Sequence, residues 1–202
     1  MRIGILGGSF DPVHYGHLLI AETCRELLRL DQVRFVPALQ SPLKTAEPGA
    51  DGHARADMVQ LAVSGCPAFI VDRRELRRSP PSWTVETLRS LRAEFPNAEL
   101  VLLIGADALK DLPLWKEPLE IAGLAQIAAC NRPGLPELSP ATILSWIGPE
   151  LASRVTQVQI PGTDISSTEL RQRIRSGRSI RFLTPRAVEA FLTEHRLYLP
   201  KP

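Results

Sequence analysis

The sequence predicts an α/β protein with a doubly wound, Rossmann-like parallel sheet and C-terminal helices. Short β-rich apolar runs alternate with segments of helical period through most of the chain. This alternation is typical of βαβ units in a parallel sheet that helices cover on both faces. Beyond residue 160 the pattern changes to helices alone. We therefore expect one domain over residues 1–202, with an α/β core over 1–160 and a helical part of the same domain over 161–202.

The spacing of the apolar residues predicts the individual elements. Six apolar runs predict strands, the last weaker than the others, at residues 2–6, 33–36, 68–71, 100–104, 125–130 and 155–160. Helical period recurs at residues 18–30, 55–63, 85–95, 114–122 and 140–147. Two more helices are predicted at 167–176 and 184–195, separated by a Gly177 stop and a Thr184-Pro185 start.

The composition is that of an ordinary packed globular protein, with 44% hydrophobic and 23% charged residues. No apolar stretch reaches the roughly 20 residues that span a bilayer, so we expect no membrane partner and no cleaved signal. Cys24, Cys66 and Cys130 form no CxxC pair. We expect them to be buried thiols of a cytoplasmic protein.

The net charge of +2 is too small to indicate nucleic acid by itself, and we expect no such partner. Arginines nonetheless concentrate in a segment without acids: Arg171, Arg173, Arg175, Arg178, Arg181 and Arg186. This segment is compatible with a polyanion site and with a solvated helix face.

The strongest signal is GGSFDPVHYGH at residues 7–17, which follows the first predicted strand and opens a helix. In a doubly wound sheet the ligand crevice lies outside the carboxyl ends of the strands, and a helix N-terminus favours anions. Gly7 and Gly8 allow the backbone to approach a phosphate closely. His14 and His17 are three residues apart, so both imidazoles project to one side and can donate N–H to phosphoryl oxygens.

A structural alternative is that one of these histidines caps the helix and the other packs in the core. The glycine spacing is neither GxGxxG nor GxxxxGK[ST]. This difference argues against a dinucleotide oxidoreductase and against a P-loop NTPase.

The segment 7–17 resembles the GxFxPxHxGH motif of the HxGH nucleotidyltransferase superfamily. Residues 165–171, ISSTELR, resemble the ISS/TT-x-x-R motif that this superfamily places at the start of a C-terminal helix. The resemblance implies transfer of the AMP part of ATP to a phosphate-bearing acceptor. The residues expected to bind ATP are Gly7, Gly8, Ser9, Phe10, His14, His17, Gly105, Asp107, Ile165, Ser166, Ser167, Thr168 and Arg171.

The second motif is physically reasonable as a phosphate clamp. Ser167, Thr168 and the amides behind them lie at a predicted helix N-terminus, and Arg171 lies within the first turn. The alternative is a plain capping box, because Ser166 is followed three residues later by Glu169. The two interpretations are compatible with each other.

Within the superfamily the chain is most similar to bacterial nicotinate-nucleotide adenylyltransferases, nearly from end to end. The similarity rests on PPSWTVETL at 80–88, IGADAL at 104–109, LPLWK at 112–116, RPG at 132–134, IRFLTP at 180–185 and HRLY at 195–198. It implies that ATP and nicotinate mononucleotide react to give nicotinate adenine dinucleotide and pyrophosphate, a step of NAD synthesis. Trp83 stands where the family usually has tyrosine.

Two further departures concern histidines of the family. Leu43 replaces the histidine that commonly precedes Lys44, and Ala54 replaces one that often stands beside Arg55. A leucine cannot donate to phosphate, so that contact is absent or supplied elsewhere. Neither change affects the two phosphate motifs.

The reaction implied by the resemblance needs no general base, since a phosphate monoester with a second pKa near ~6 is largely dianionic at neutral pH. Catalysis then consists of positioning and charge neutralisation. We expect His14 and His17 near the α-phosphate, and Arg171 with Ser167 and Thr168 near the β/γ end. Lys44 is expected to balance charge between the substrates. A Mg²⁺ bound mainly through ATP oxygens and water is implied, without metal ligands from the protein.

The expected acceptor-binding residues are Lys44, Thr84, Trp115 and Arg132. Trp115 offers a flat face for a pyridine ring, Thr84 a hydroxyl for the nicotinate carboxylate, and Arg132 a cation for the acceptor phosphate. Core packing of Trp115 and helix capping by Thr84 are the alternatives. Asp107, expected by resemblance on the adenosine side, has the same capping alternative.

Two other functions are weighed beside this one. A phosphopantetheine adenylyltransferase would be shorter and would lack the W-T and L-x-x-W segments. A non-enzymatic nucleotide-binding protein on the same fold would be expected to lose a motif histidine or Arg171, and both are retained. The sequence does not predict the oligomeric state.

Overall fold

Six strands form one sheet in the order β3-β2-β1-β4-β5-β6. They are β1 (Arg2–Gly8), β2 (Gln32–Pro37), β3 (Phe69–Val71), β4 (Glu99–Gly105), β5 (Gln126–Asn131) and β6 (Val155–Gln159). The structure is a computed structural model, and it describes residues 1–40, 42, 49–131 and 138–200. The pairs β1–β4, β4–β5 and β5–β6 are parallel. The strand order reverses between β1 and β4, as it does in Rossmann-like sheets, so the predicted fold class is confirmed.

The α-helices of the described residues follow the predicted alternation with strands. They are α1 (Tyr15–Leu27), α2 (Gly52–Val63), α3 (Thr84–Glu94), α4 (Ala106–Leu109), α5 (Pro118–Leu124), α6 (Pro140–Ala152), α7 (Ser167–Arg175) and α8 (Arg186–Glu194). Two short 3₁₀ helices cover Arg74–Arg77 and Leu112–Leu114. Within the described ranges, none of the helices has the length and apolar character needed to cross a membrane.

The central strands are buried because parallel sheets are covered on both faces. Five consecutive residues of β4, from Leu100 to Ile104, are buried. Gly4 of β1 allows the neighbouring elements to approach, because a Cβ there would lie 2.7 Å from Leu30 Cδ1. The apolar runs were therefore correctly interpreted as strands, and the run at residues 100–104 is buried throughout.

The helix predicted over residues 114–122 starts later than expected. A 3₁₀ turn ends at Leu114, and α5 begins only at Pro118. The ring of Pro118 disfavours the α-helical region for the residue before it. Glu117 is outside the right-handed helical region, with φ 55° and ψ 57°. Helical period alone did not reveal this break.

The chain divides into two compact units. The first comprises Met1–Gly7, Leu19–Arg34 and Trp83–Thr163, and the second comprises Gly8–Leu18, Phe35–Ser82 and Asp164–Pro202. In the second unit, α2 packs against the C-terminal helix α8. The expected single domain over 1–202, divided at residue 160, stays a prediction.

Two of the three cysteines come together in the first unit. Cys24 Sγ and Cys130 Sγ lie 3.4 Å apart as buried free thiols, and Cys66 is half-buried. The hydrogen bond with Cys24, followed by burial, raises the pKa of Cys130. Cys24 and Cys130 therefore have the buried, inert character expected of structural cysteines.

Candidate active site

The two histidines of the glycine-rich turn stack on each other at the start of α1. Their ring centroids are 3.8 Å apart, with 34° between the planes. The His14 Nδ1 accepts the N–H of Gly16 at 3.1 Å, and the His17 Nδ1 accepts the N–H of His14 at 3.2 Å. His14 is buried, and His17 is half-buried. The backbone of the turn thus fixes the orientation of both rings.

These contacts also define where each neutral imidazole carries its proton. A ring nitrogen that accepts a backbone N–H has no hydrogen of its own, so Nε2 is the donor nitrogen of both His14 and His17. His14 also caps α1 through its bond to Gly16, which is the alternative considered from the sequence. Capping uses Nδ1 and donation to a phosphate would use Nε2, so the two roles are compatible.

The Phe10 ring lies close to Gly8, the second of the two glycines before it. It is 1% exposed and contacts His17 edge to face at a centroid distance of 5.0 Å. A Cβ on Gly8 would lie 3.1 Å from Phe10 Cζ, whereas a Cβ on Gly7 would meet no described atom within 4 Å. A side chain at Gly8 would therefore crowd the Phe10 ring, whereas Gly7 has open space around its Cα, as expected of a glycine that approaches a ligand.

Three side chains from the C-terminal segment bind three consecutive carbonyl groups of the turn. Arg171 Nη1 donates to the Asp11 carbonyl at 2.6 Å, and Ser167 Oγ donates to that of Pro12 at 2.8 Å. Thr184 Oγ1 donates to the carbonyl of Val13 at 2.8 Å. The second unit therefore joins the two motifs that the sequence analysis assigned to phosphate.

The start of α7 shows how the second motif is built. Ser166 is the N-cap, because its Oγ accepts the N–H of Glu169 at 3.2 Å. The capping interpretation of Ser166 is therefore correct. The hydroxyl hydrogen of Ser167 is used by Pro12, whereas Thr168 is exposed and accepts a bond from Arg171 Nη2 at 3.3 Å.

The buried Asp11 carboxylate accepts several hydrogen bonds in this region. It accepts the N–H of Gly49 at 2.8 Å, the N–H of Ala50 at 3.1 Å and the hydroxyl of Tyr198 at 2.6 Å. Arg171 Nη1 lies 3.6 Å from it. Burial, together with the negative charge of Asp11, raises the pKa of Tyr198 well above its usual value. The phenol therefore stays a protonated donor at neutral pH.

Arg55 supports the same region from α2. Its side chain is 1% exposed and donates to the carbonyl groups of Ala50 at 3.1 Å, Ser9 at 2.6 Å and Leu39 at 3.2 Å. Burial lowers the pKa of this guanidinium, and the charge of Asp11 opposes the shift. Arg55 thus connects the turn to α2 through backbone groups.

The first unit holds several of the other predicted residues. Asp107 is exposed in the first turn of α4, whose N-cap is Gly105, so the capping alternative for Asp107 is wrong. Thr84 is the first residue of α3, whose N-cap is Trp83, so the capping alternative for Thr84 is wrong too. The short distance from either residue to its helix start made these boundaries ambiguous in the sequence.

Trp115 ends the 3₁₀ helix Leu112–Leu114 and is half-buried. Its indole Nε1 is buried without a hydrogen-bond partner among the described residues. An unsatisfied buried donor is unfavourable. Lys44 and Arg132, predicted from the sequence, lie outside the described residues.

Sequence reasoning missed the supporting roles of Asp11, Arg55, Thr184 and Tyr198. Asp11 lies inside the first motif, and Tyr198 lies in the closing HRLY segment, but their pairing spans 187 positions. The position of Arg55 beside the departure at Ala54 offered a weak signal. Nothing in local sequence periodicity predicts such contacts.

Comparison with known proteins places this chain among nucleotidyltransferases. The family profile described as Cytidylyltransferase-like matches residues 5–173. The chain is 45% identical over 199 residues to a probable nicotinate-nucleotide adenylyltransferase of Thermus thermophilus, covering 98% of the chain and 100% of the relative. It is 43% identical over 197 residues to a protein of the same name from Thermomicrobium roseum, covering 98% and 91%.

Solved structures show the same fold. The nicotinic acid mononucleotide adenylyltransferase of Plasmodium falciparum, complexed with NaAD, matches with a TM-score of 0.78 at 18% identity, covering 98% of this chain and 97% of the other. The same enzyme complexed with APC matches with a TM-score of 0.76. At this level of identity the similarity concerns the fold.

Proposed function

Because this chain belongs to the nicotinate-nucleotide adenylyltransferases within the Cytidylyltransferase-like family, we propose that it transfers the adenylyl group of ATP to nicotinate mononucleotide. The products are nicotinate adenine dinucleotide and pyrophosphate. One observation carries this proposal: the turn with two oriented Nε2–H donors is joined to α7 through the carbonyl groups of Asp11 and Pro12, and to Thr184 through that of Val13. Such an arrangement suits the binding of a polyphosphate.

His14 and His17 are the donors to the α-phosphoryl group in this proposal. Their Nδ1 atoms are occupied by backbone N–H groups, so each ring presents a single donor in a fixed direction. Donors that are already oriented cost no reorganisation when charge grows in the transition state. The paired histidines therefore act on the centre at which the bond changes occur.

Arg171 and the first turn of α7 serve the β- and γ-phosphates. The guanidinium is held by the Asp11 carbonyl and by Thr168, and about three-quarters of its surface is covered, with 23% exposed. A fixed guanidinium and a helix N-terminus both favour phosphate oxygens. Lys44 complements them by balancing charge between the two substrates. The other residues proposed for the ATP site are Gly7, Gly8, Ser9, Phe10, Gly105, Asp107, Ile165 and Ser166.

The reaction is an in-line displacement at phosphorus. A phosphate oxygen of nicotinate mononucleotide attacks the α-phosphorus of ATP and forms a new P–O bond. The bond from the α-phosphorus to the bridging oxygen breaks, and its electron pair leaves with pyrophosphate. Because the nucleophile is already a phosphate anion, the protein needs to supply position and charge neutralisation rather than a base.

A Mg²⁺ ion fits this donor set when it is carried by the nucleotide. The described residues contain no group of three or more His, Cys, Asp or Glu side chains arranged to hold a metal. Mg²⁺ commonly keeps several waters and binds substrate phosphates. When bound, it neutralises charge on the phosphates of ATP.

The acceptor is proposed to bind through Thr84, Trp115, Lys44 and Arg132. The flat face of the half-buried Trp115 indole suits a pyridine ring. Thr84 is half-buried and, as the first residue of α3, has its hydroxyl at a helix N-terminus. A carboxylate is favoured there.

The test is to incubate the purified protein with ATP, Mg²⁺ and a panel of phosphate acceptors, and to identify the product by mass. Nicotinate adenine dinucleotide is expected as the main product. Nicotinate mononucleotide should exceed its amide in kcat/KM by about tenfold to a few hundredfold, because the carboxamide NH₂ would face donors and leave them unpaired. Equal values for acid and amide would refute the acid preference, and no dinucleotide at all would refute the function.

A further inference from the structure

Tyr198 is buried, and its hydroxyl is hydrogen-bonded to the first motif. It is 7% exposed, and its hydroxyl donates to Asp11 Oδ1 at 2.6 Å. Its backbone lies in the left-handed region, with φ 62°. Residues other than glycine rarely adopt this conformation unless their surroundings impose it. The position of the Tyr198 ring is therefore maintained by tertiary contacts.

The ring of Tyr198 shares its packing with the stem of Arg171. A Cβ on Gly49 would lie 2.8 Å from Tyr198 Cε1, 2.9 Å from Tyr198 Cδ1 and 3.4 Å from Arg171 Cδ. Gly49 therefore lies in close contact with both side chains at once. Glycine is required here for space, since any larger residue would displace the ring, the arginine stem or both.

The Asp11 carboxylate connects the phenol to the guanidinium. Its two oxygens accept hydrogen bonds from the Tyr198 hydroxyl and from the N–H groups of Gly49 and Ala50. Arg171 Nη1 lies 3.6 Å from Asp11 Oδ2. A buried carboxylate next to a polyphosphate would repel it unless donors compensated the charge. The phenol supplies one such donor and fixes the carboxylate in the orientation that faces Arg171.

We propose that Tyr198 is a positioning residue for ATP: through Asp11 and Gly49 it fixes the Arg171 guanidinium in the orientation that binds the β- and γ-phosphates. This inference rests on the role given to Arg171 under Proposed function. Tyr198 itself contacts no substrate. Its hydroxyl donates to the carboxylate of Asp11, and its ring packs on Gly49, which also lies beside the stem of Arg171.

The test is a double-mutant cycle on binding of α,β-methylene-ATP with Mg²⁺, measured by calorimetry on the full chain. Tyr198→Phe keeps the ring and removes the hydroxyl, and it should weaken binding about tenfold, the scale of one hydrogen bond. In an Arg171→Ala background the same change should have no further effect, because the residue through which Tyr198 acts is gone.

Val188→Ala is the matched control for lost stability. Val188 is fully buried on α8, in the same C-terminal segment, and its truncation lowers stability without removing a donor to Asp11. It should leave the affinity for the analogue unchanged. If Tyr198→Phe fails to fold, Gly49→Ala is carried through the same cycle, since it presses a methyl group against the ring and the arginine stem.

The outcomes separate this inference from the proposed function. Weak binding by Arg171→Ala together with unchanged binding by Tyr198→Phe overturns the positioning role alone. Equal losses from Tyr198→Phe with and without Arg171 also overturn it, because the effect would then be independent of the arginine. Unchanged binding by Arg171→Ala refutes the phosphate role of Arg171. Failure of the intact protein to form a dinucleotide refutes the proposed function, whatever the binding results.

Discussion

Replacing His17 with alanine is expected to lower kcat far more than it raises KM. The change removes an Nε2–H donor that the bond from the His14 N–H to Nδ1 holds in a fixed direction, at 3.2 Å. Loss of one pre-oriented donor to developing phosphoryl charge costs about 10²–10³ in rate, or roughly 3–4 kcal/mol. KM should change less, since the donor acts mainly on charge that appears in the transition state.

The same substitution also has a structural cost that the assay must separate. The His14 N–H loses its acceptor, and Phe10 loses the ring at 5.0 Å, so stability should fall by about 1–3 kcal/mol. Thermal unfolding reports this part, and steady-state kinetics on folded protein report the catalytic part. His53→Ala, an exposed histidine on α2, is the matched control and should leave both unchanged. A folded His17→Ala protein with the wild-type kcat would refute the donor assignment.

Arg55, Tyr198 and Trp115 each give a further testable expectation. Arg55→Ala should lower the free energy of unfolding by urea by about 3–5 kcal/mol, because three backbone carbonyl groups lose a buried donor. The control Arg77→Ala changes an exposed arginine and should leave this free energy almost unchanged. Equal losses in the two variants would contradict the prediction. Tyr198 faces Asp11, Arg171 and Arg55, and its pKa is raised in the folded protein, so the fold gains stability at pH values below the unfolded phenol pKa of about 10. Above that pH the unfolding free energy should fall more steeply with pH than it does in Tyr198→Phe. Parallel plots of unfolding free energy against pH for the two proteins would exclude the raised pKa. Trp115→Ala should lower kcat/KM similarly for the acid and amide acceptors, and an effect on one acceptor alone would argue against stacking.

The turn at residues 7–17 was predictable because its chemistry is local. Glycines, a strand before it and a helix after it lie within a few positions of each other, and the spacing of His14 and His17 already implied a common direction. The structure adds what spacing cannot give, namely that backbone N–H groups occupy both Nδ1 atoms. It also shows that Gly8 lies close to the Phe10 ring, while the expected close approach of Gly8 to a phosphate stays a prediction.

The long-range hydrogen bonds that hold the site residues in place were not predictable from sequence periodicity. The bond from Tyr198 to Asp11 spans 187 positions, and those from Ser167 to Pro12 and from Thr184 to Val13 span 155 and 171. Contacts of this kind depend on the tertiary packing of helices whose own sequence pattern records only an apolar face. The strands, in contrast, were predictable because parallel strands buried on both faces appear as continuous apolar runs.

The measurement that tests the central claim most directly is the fate of labelled phosphate from ATP. With nicotinate mononucleotide and Mg²⁺, label in the α-phosphate should enter the dinucleotide, and label in the γ-phosphate should appear in pyrophosphate. Both transfers should fall together in His17→Ala. Transfer of the γ-label to the acceptor would show a phosphoryl rather than an adenylyl transfer and would contradict the account, as would failure of the α-label to enter a dinucleotide.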